Sequence, residues 1–171
     1  MFDPTIFDNL KVVTEGLIYD MDLSGKIRII ERTDQVELAH MSRSYGIIFE
    51  LADHPGPHAE IQIYAALADL ASELLMVEGD SAGCALHIYF TLDIEEPEET
   101  CRRIQNALEQ IWQERIIEQQ ISYPYTNGKT IFQDRIHIRF DRKISEQHID
   151  DIPDLLEHVT RSLLILHEWK L

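Results

Sequence analysis

Two five-residue stretches, Leu86-His87-Ile88-Tyr89-Phe90 and Ile136-His137-Ile138-Arg139-Phe140, alternate apolar and polar side chains in the same order. Side chains along a β-strand point to opposite faces in turn, so each stretch has one apolar face and one polar face. Strands that are covered by helices on both faces read instead as continuous apolar runs. The alternation therefore predicts a sheet that helices cover on one face only.

The polar side chains of these two strands form a predicted surface of their own: His87, Tyr89, Arg135, His137 and Arg139. Its surroundings are locally basic, since five cations outnumber two carboxylates in residues 126–143. In residues 33–101, by contrast, one cation faces fourteen carboxylates. The sequence therefore predicts a docking face on an acidic body, suited to a second copy of the protein or to an anionic ligand.

Three segments with apolar residues every three to four positions predict helices. Each has a proline near its start, which is typical of a first helical turn, where no N–H partner is needed. The predicted helices cover Pro57 to about Met76, Pro97 to about Ile117, and Asp151 to about His167.

Several other segments favour extended structure. The sequence predicts a hairpin over residues 15–32 with Gly25 in its turn, and strands over Tyr45–Leu51 and Cys84–Ile94. It also predicts a hairpin from residues 120–125 to residues 130–140, because Asn127-Gly128 is a strong turn signal. Pro124 places the first arm of that hairpin at a sheet edge or in a loop.

These elements predict one globular domain over residues 1–171, of the α+β class. The expected architecture is a two-layer open-faced sandwich: a mixed or antiparallel sheet with about three helices on one face. Strands and helices alternate from Tyr45 onward, so an α/β arrangement with parallel βαβ crossovers is the alternative.

The formal net charge is −16, with 31 Asp and Glu against 15 Lys and Arg. A chain with this negative charge is repelled by the phosphate backbone of nucleic acid and by an anionic membrane surface. Neither is therefore expected as a partner. With 44% hydrophobic residues, the composition is that of a folded protein.

Cysteine usage and the amino terminus both indicate a reducing compartment. Two cysteines, Cys84 and Cys101, cannot form the framework of a secreted disulfide scaffold. The first residues show no basic segment followed by an apolar core, which a signal peptide would need. The expected location is the cytoplasm.

Gly79-Asp80-Ser81-Ala82-Gly83 matches the G-x-S-x-G pattern of a nucleophile elbow, which requires a strand before the serine and a helix after it. Here the predicted order is helix and then strand. The motif therefore indicates the end of a helix, with Gly79 in a left-handed conformation, rather than a hydrolase site.

His54 and His58 flank Pro55-Gly56-Pro57 and are the candidate metal ligands, with His87 or His137 as a third. The prolines exclude a regular helix between the two imidazoles, so their convergence is not assured, and no metal site is predicted. No glycine-rich phosphate loop or C-x-x-C pair occurs, and no cofactor is expected.

The leading functional expectation is a non-catalytic protein that associates with other proteins, as a homodimer or with a regulatory partner, through the open sheet face. The alternative is a small-molecule- or metal-dependent enzyme that uses the histidines. A third possibility is an acidic decoy that occupies a nucleic-acid-binding protein. Association predicts a mass that depends on concentration, whereas an enzyme predicts a pocket in which several histidines converge.

Overall fold

The structure is a computed structural model that describes residues 5–75 and 82–170. Its elements in chain order are α1 (Thr5–Leu23), β1 (Ile27–Glu37), β2 (Ser42–Leu51), β3 (His54–Ala65), α2 (Leu67–Leu75), β4 (Ala85–Ile94), α3 (Pro97–Ile111), β5 (Ile116–Ser122), β6 (Phe132–Arg139), a 3-10 helix (Glu146–Asp151) and α4 (Ile152–His167).

The six strands form one sheet in the order β1-β2-β3-β4-β6-β5, and every neighbouring pair is antiparallel. Because β6 lies between β4 and β5, those two strands run in the same direction and α3 carries the chain across β6. The prediction of an α+β two-layer open-faced sandwich is confirmed, with an antiparallel rather than a mixed sheet. Adjacent parallel βαβ units do not occur among the described strands.

The strands alternate between a packed side and an exposed side. On β4, the side chains of Leu86, Ile88 and Phe90 are buried, whereas His87 and Tyr89 between them are half-buried. The buried rows of the strands pack with apolar residues of all four helices into one core. We call this the helix side of the sheet and the opposite side the open face, which no described helix covers.

The predicted hairpin over residues 15–32 is wrong in its first arm, because Thr5–Leu23 forms helix α1. The buried positions Phe7, Leu10, Thr14 and Ile18 recur at helical spacing and pack on the sheet. Gly25 has φ +76° as a turn glycine should, but it joins a helix to strand β1.

The predicted helix from Pro57 to Met76 is wrong in its first half, which is strand β3. Residues of β3 are buried at every second position from Ala59 to Ala65, a period of two. Pro57 is tolerated because it lies where the β2–β3 register shifts, in a bulge that needs no regular ladder bond. Of the predicted span, only the part that forms α2 is helical, and Met76 lies outside the described residues.

The remaining predictions differ from the structure mainly at element ends. The strands over Tyr45–Leu51 and Cys84–Ile94 and the last helix are confirmed as parts of β2, β4 and α4. Helix α3 ends at Ile111, and β5 begins five residues later. β5 and β6 pair as predicted but are joined by a long loop, which contains Pro124, rather than by a two-residue turn at Asn127-Gly128.

Candidate binding face on the open side of the sheet

Strands β4 and β6 bring the five predicted site residues together on the open face. The antiparallel register places His87 opposite Arg139, Tyr89 opposite His137, and Thr91 opposite Arg135. Residues that are directly opposite on one face lie close enough for their side chains to touch. The register of β4 and β6 therefore groups these five residues, with two imidazole rings and one phenol ring between the guanidinium groups of Arg135 and Arg139.

The three rings of His87, Tyr89 and His137, which we call the ring cluster, are in mutual contact. The ring of His137 is stacked on that of Tyr89, with centroids 4.4 Å apart. His87 Nδ1 and His137 Nε2 are 3.1 Å apart, a hydrogen bond in which one imidazole donates and the other accepts. The accepting ring must be neutral, because a protonated imidazole only donates.

Burial lowers the pKa of both histidines from the ordinary value. For His87 the second cause is the nearby charge of Arg139. For His137 it is His87, while Glu118 acts in the opposite direction. Both imidazoles are therefore neutral at pH 7, as their mutual hydrogen bond allows.

Two arginine–glutamate pairs border the ring cluster. Arg135 Nη2 lies 3.0 Å from Glu60 Oε2, and its guanidinium stacks over Tyr89 at 4.2 Å from the ring centroid. Arg139 Nη1 lies 2.9 Å from Glu118 Oε1, and the other Glu118 oxygen is 3.8 Å from His137 Nδ1. Each arginine side chain remains nearly half exposed, so it can still contact another molecule.

Glu60 and Glu118 also belong to this face, although neither is among the residues that the sequence predicts there. Glu60 lies between Ala59 and Ile61, so its outward position would have been visible had the segment been interpreted as a strand. Glu118 lies in β5, whose two ends the sequence predicts as the end of a helix and the start of a hairpin arm. Alternation of apolar and polar residues from Ala59 to Ile63 was the available signal for Glu60, whereas Ile116–Ser122 does not alternate and gave no such signal for Glu118.

The structure does not bring His54 and His58 to one point. The His54 ring packs edge-on against the ring of His167 in α4, with centroids 4.9 Å apart. His58 belongs to the open-face row of β3 and lies opposite Thr91, four residues along the strand from His87. Four strand residues span about 13 Å, too far for a shared metal. Within residues 5–75 and 82–170, no group of three His, Cys, Asp or Glu side chains is placed to hold a metal ion.

Part of the G-x-S-x-G stretch, residues 79–81, lies outside the described residues. In the described part, α2 precedes the motif and β4 follows it, so the order is helix and then strand. The backbone of Cys84 bonds to that of Ile144 in both directions, which fixes the start of β4.

No family model matches the chain, and neither curated proteins nor solved structures show a significant similarity to it. Among the described helices, none combines the length and the apolar character that a membrane crossing requires.

Proposed function

We propose that the protein functions by forming a homodimer through the open face, with the ring cluster at the centre of the interface. The observation that carries the proposal is the arrangement of charge around the rings, where Arg135 pairs with Glu60 and Arg139 with Glu118. A two-fold interface brings each surface against itself, so it requires a surface that is complementary to itself. Neighbouring arginines and glutamates meet this requirement, because the arginines of one copy can pair with the glutamates of the other across the two-fold axis.

Charge balance also favours this face over the rest of the surface. On the open side of β3, β4, β5 and β6 the charged residues are Glu60, Asp93, Glu118, Arg135 and Arg139. Their formal sum is −1, whereas the whole chain carries −16. Two copies repel each other over most of their surfaces, and the repulsion is least where they meet through this nearly balanced face.

The composition and size of the face fit a stable interface. Tyrosine and arginine are the residues that most often contribute large binding energies, and both occur at its centre. The four strands β3, β4, β6 and β5, spaced about 4.8 Å apart and about 30 Å long, give roughly 500 Å² of projected area. The accessible area of the side chains exceeds the projected area, so this face can supply the roughly 600 Å² per partner at the lower end of standard interfaces.

The reducing cytoplasm is the proposed setting of this dimer. Cys84 and Cys101 are both free thiols, and burial raises the pKa of the Cys84 thiol to about 12. A thiol that stays protonated is a poor nucleophile and acts as a small apolar side chain.

Sedimentation equilibrium over about 0.1 to 100 µM protein tests the proposal. We expect the mean mass to rise from 19.9 kDa toward twice that value with increasing concentration. The double variant Arg135→Glu/Arg139→Glu places like charges beside Glu60 and Glu118, and should weaken dimerisation by a factor of about 100 or more.

The matched control is Arg102→Glu/Arg103→Glu, which makes the same charge change on the exposed side of α3 and should leave the dissociation constant within about threefold. Far-UV circular dichroism and urea unfolding establish that each variant is folded. A wild-type chain that stays monomeric at about 100 µM would overturn the proposal, as would a folded Arg135/Arg139 variant that dimerises normally.

A further inference from the structure

A cleft on the helix side of the molecule lies where the end of α3 meets the start of α4. Its volume is about 540 Å³, within the range of small-molecule sites. Trp112, Phe140 and Leu155 contribute apolar walls, and Arg115, Arg142 and Arg161 contribute charge. The cleft shares no residue with the ring cluster, so it is independent of the proposed dimer interface.

The aromatic wall of the cleft is held in place by contacts on its buried side. Trp112 Nε1 donates a hydrogen bond to Ser162 Oγ at 2.9 Å, and Ser162 is fully buried. The indole and the Phe140 ring are perpendicular, with ring centroids 6.3 Å apart. The His158 ring lies at 5.5 Å from the indole. Trp112 is 5% exposed and its indole N–H is already bonded, so this wall offers a ligand the small exposed part of the indole and the half-buried Phe140 ring, both of which are apolar.

The three arginines of the cleft form no ion pair within the part of the chain that the structure describes. Nine of the fifteen lysines and arginines do form such pairs. Arg115 instead lies over the Phe140 ring, at 4.8 Å from its centroid. All three arginines line one cleft, and none of them pairs with a described carboxylate, although the chain has 31 carboxylates. Their donors remain available for an anion.

Other polar groups in the cleft determine where an anion can lie. Asp151 and Asp154 line it at the first turn of α4, whereas Arg161 follows Asp154 by seven residues, about 10 Å along the helix. His148 Nδ1 accepts the N–H of Ser145 at 3.0 Å, so a neutral His148 ring carries its proton on Nε2 and can donate. The favourable end for an anion is therefore the one near Arg161, away from the two aspartates.

We propose that this cleft binds a small organic anion in which one carboxylate, or a group of similar charge, is attached to an aromatic or compact apolar body. The arginines bind the anionic group through charge-assisted hydrogen bonds. The apolar body packs against Trp112 and Phe140, which supplies the hydrophobic part of the affinity.

Fluorescence titration with 8-anilinonaphthalene-1-sulfonate tests this site, since the probe joins an anionic group to an aromatic body. Its uncharged relative N-phenyl-1-naphthylamine shows what the anionic group contributes. We expect the sulfonate to bind the wild-type protein at one site per chain, at least about tenfold more tightly than the neutral probe. The double variant Arg142→Gln/Arg161→Gln should weaken sulfonate binding by a factor of about ten or more and leave neutral-probe binding unchanged.

Two controls separate this site from other surfaces. Arg102→Gln removes an exposed arginine of α3 that has no ion pair with a described residue and lies outside the cleft, so sulfonate binding should be unchanged. Arg135→Glu/Arg139→Glu, which is designed to abolish the proposed dimer, should also retain it. Equal affinity for the two probes would overturn the anion site, and so would full sulfonate affinity in a folded Arg142/Arg161 variant.

Discussion

At the scale of single residues, Asp134 is the least hydrated of the described carboxylates. It lies on the helix side of β6 and is fully buried. Its Oδ1 atom has no hydrogen-bond partner among the described residues, and its Oδ2 atom is 3.8 Å from the Cys101 thiol. Burial raises the pKa of Asp134 to about 6, although the thiol contact acts in the opposite direction.

This raised pKa makes the stability depend on pH in a definite direction. Between pH 4 and 6 the folded chain holds a proton that the unfolded chain has released, so stability falls as pH rises through this range. Asp134→Asn removes the dependence. We subtract the unfolding free energy of the wild type from that of the variant at each pH. This difference should be about 2 kcal/mol larger, in favour of the variant, at pH 7.5 than at pH 4.5.

Urea unfolding of both proteins at the two pH values measures this difference. Asp93→Asn is the matched control, because Asp93 is exposed on β4 and its substitution should change stability by less than about 0.5 kcal/mol at either pH. If Asp134→Asn had the same effect at pH 7.5 as at pH 4.5, the carboxyl would be titrating as an ordinary one.

At the scale of elements, α1 and β3 show what local patterns can and cannot predict. The sequence predicts both elements wrongly, because short apolar runs fit a helical period and a strand period about equally well. In α1, the short apolar segment Leu17-Ile18-Tyr19 before the turn at Gly25 favours an extended hairpin arm, yet packing of Phe7 and Leu10 on the sheet makes it helical. In β3, pairing with β2 and β4 overrides the helical spacing of Ile63 and Leu67.

Alanine substitution at Gly16 and, separately, at Gly25 distinguishes helix α1 from the predicted hairpin. Gly16 is exposed inside α1 with open space around its Cα, so Gly16→Ala should stabilise the fold by about 0.5 to 1 kcal/mol. Gly25 also has open space but has φ +76°, so Gly25→Ala should destabilise it by about 1 kcal/mol. The urea concentration at the midpoint of unfolding should rise for Gly16→Ala and fall for Gly25→Ala. A Gly16→Ala variant that is less stable than the wild type would contradict the helical assignment.

At the scale of the whole molecule, the proposed dimer couples association to protonation of the ring cluster. His87 and His137 are faced by Tyr89, Arg135, Arg139, Glu60 and Glu118. A second copy would exclude more water from the two imidazoles and lower their pKa further. Protonation therefore opposes dimerisation, even though it reduces the net negative charge of each chain.

We expect the dimer dissociation constant to rise by about tenfold or more when the pH falls from about 7.5 to 5.5, as sedimentation equilibrium would measure. His87→Gln/His137→Gln should remove most of this dependence. His40→Gln/His158→Gln, which changes two exposed histidines outside the face, should retain it. The coupling is refuted if the dissociation constant of the wild-type dimer is the same at both pH values.

The candidate face was predictable to the extent that it depends on alternation. The period of two in β4 and β6 placed His87, Tyr89, Arg135, His137 and Arg139 on one face without knowledge of which strands are neighbours. Glu60 and Glu118 were not predictable as their partners, because that requires the strand order β3-β4-β6-β5. The cleft at Trp112 was not predictable either, since its arginines come from three separate segments.

The sequence by itself determined the one-sided sheet, the acidic body and the locally basic strand. These follow from side-chain periodicity and charge counts, which are local properties of the chain. Only the tertiary structure decided that residues 5–23 are helical and 54–65 extended, and which carboxylates and arginines meet. Long-range pairing and burial decide such questions, since the energy of packing an apolar face exceeds the small preference of a short segment for either conformation.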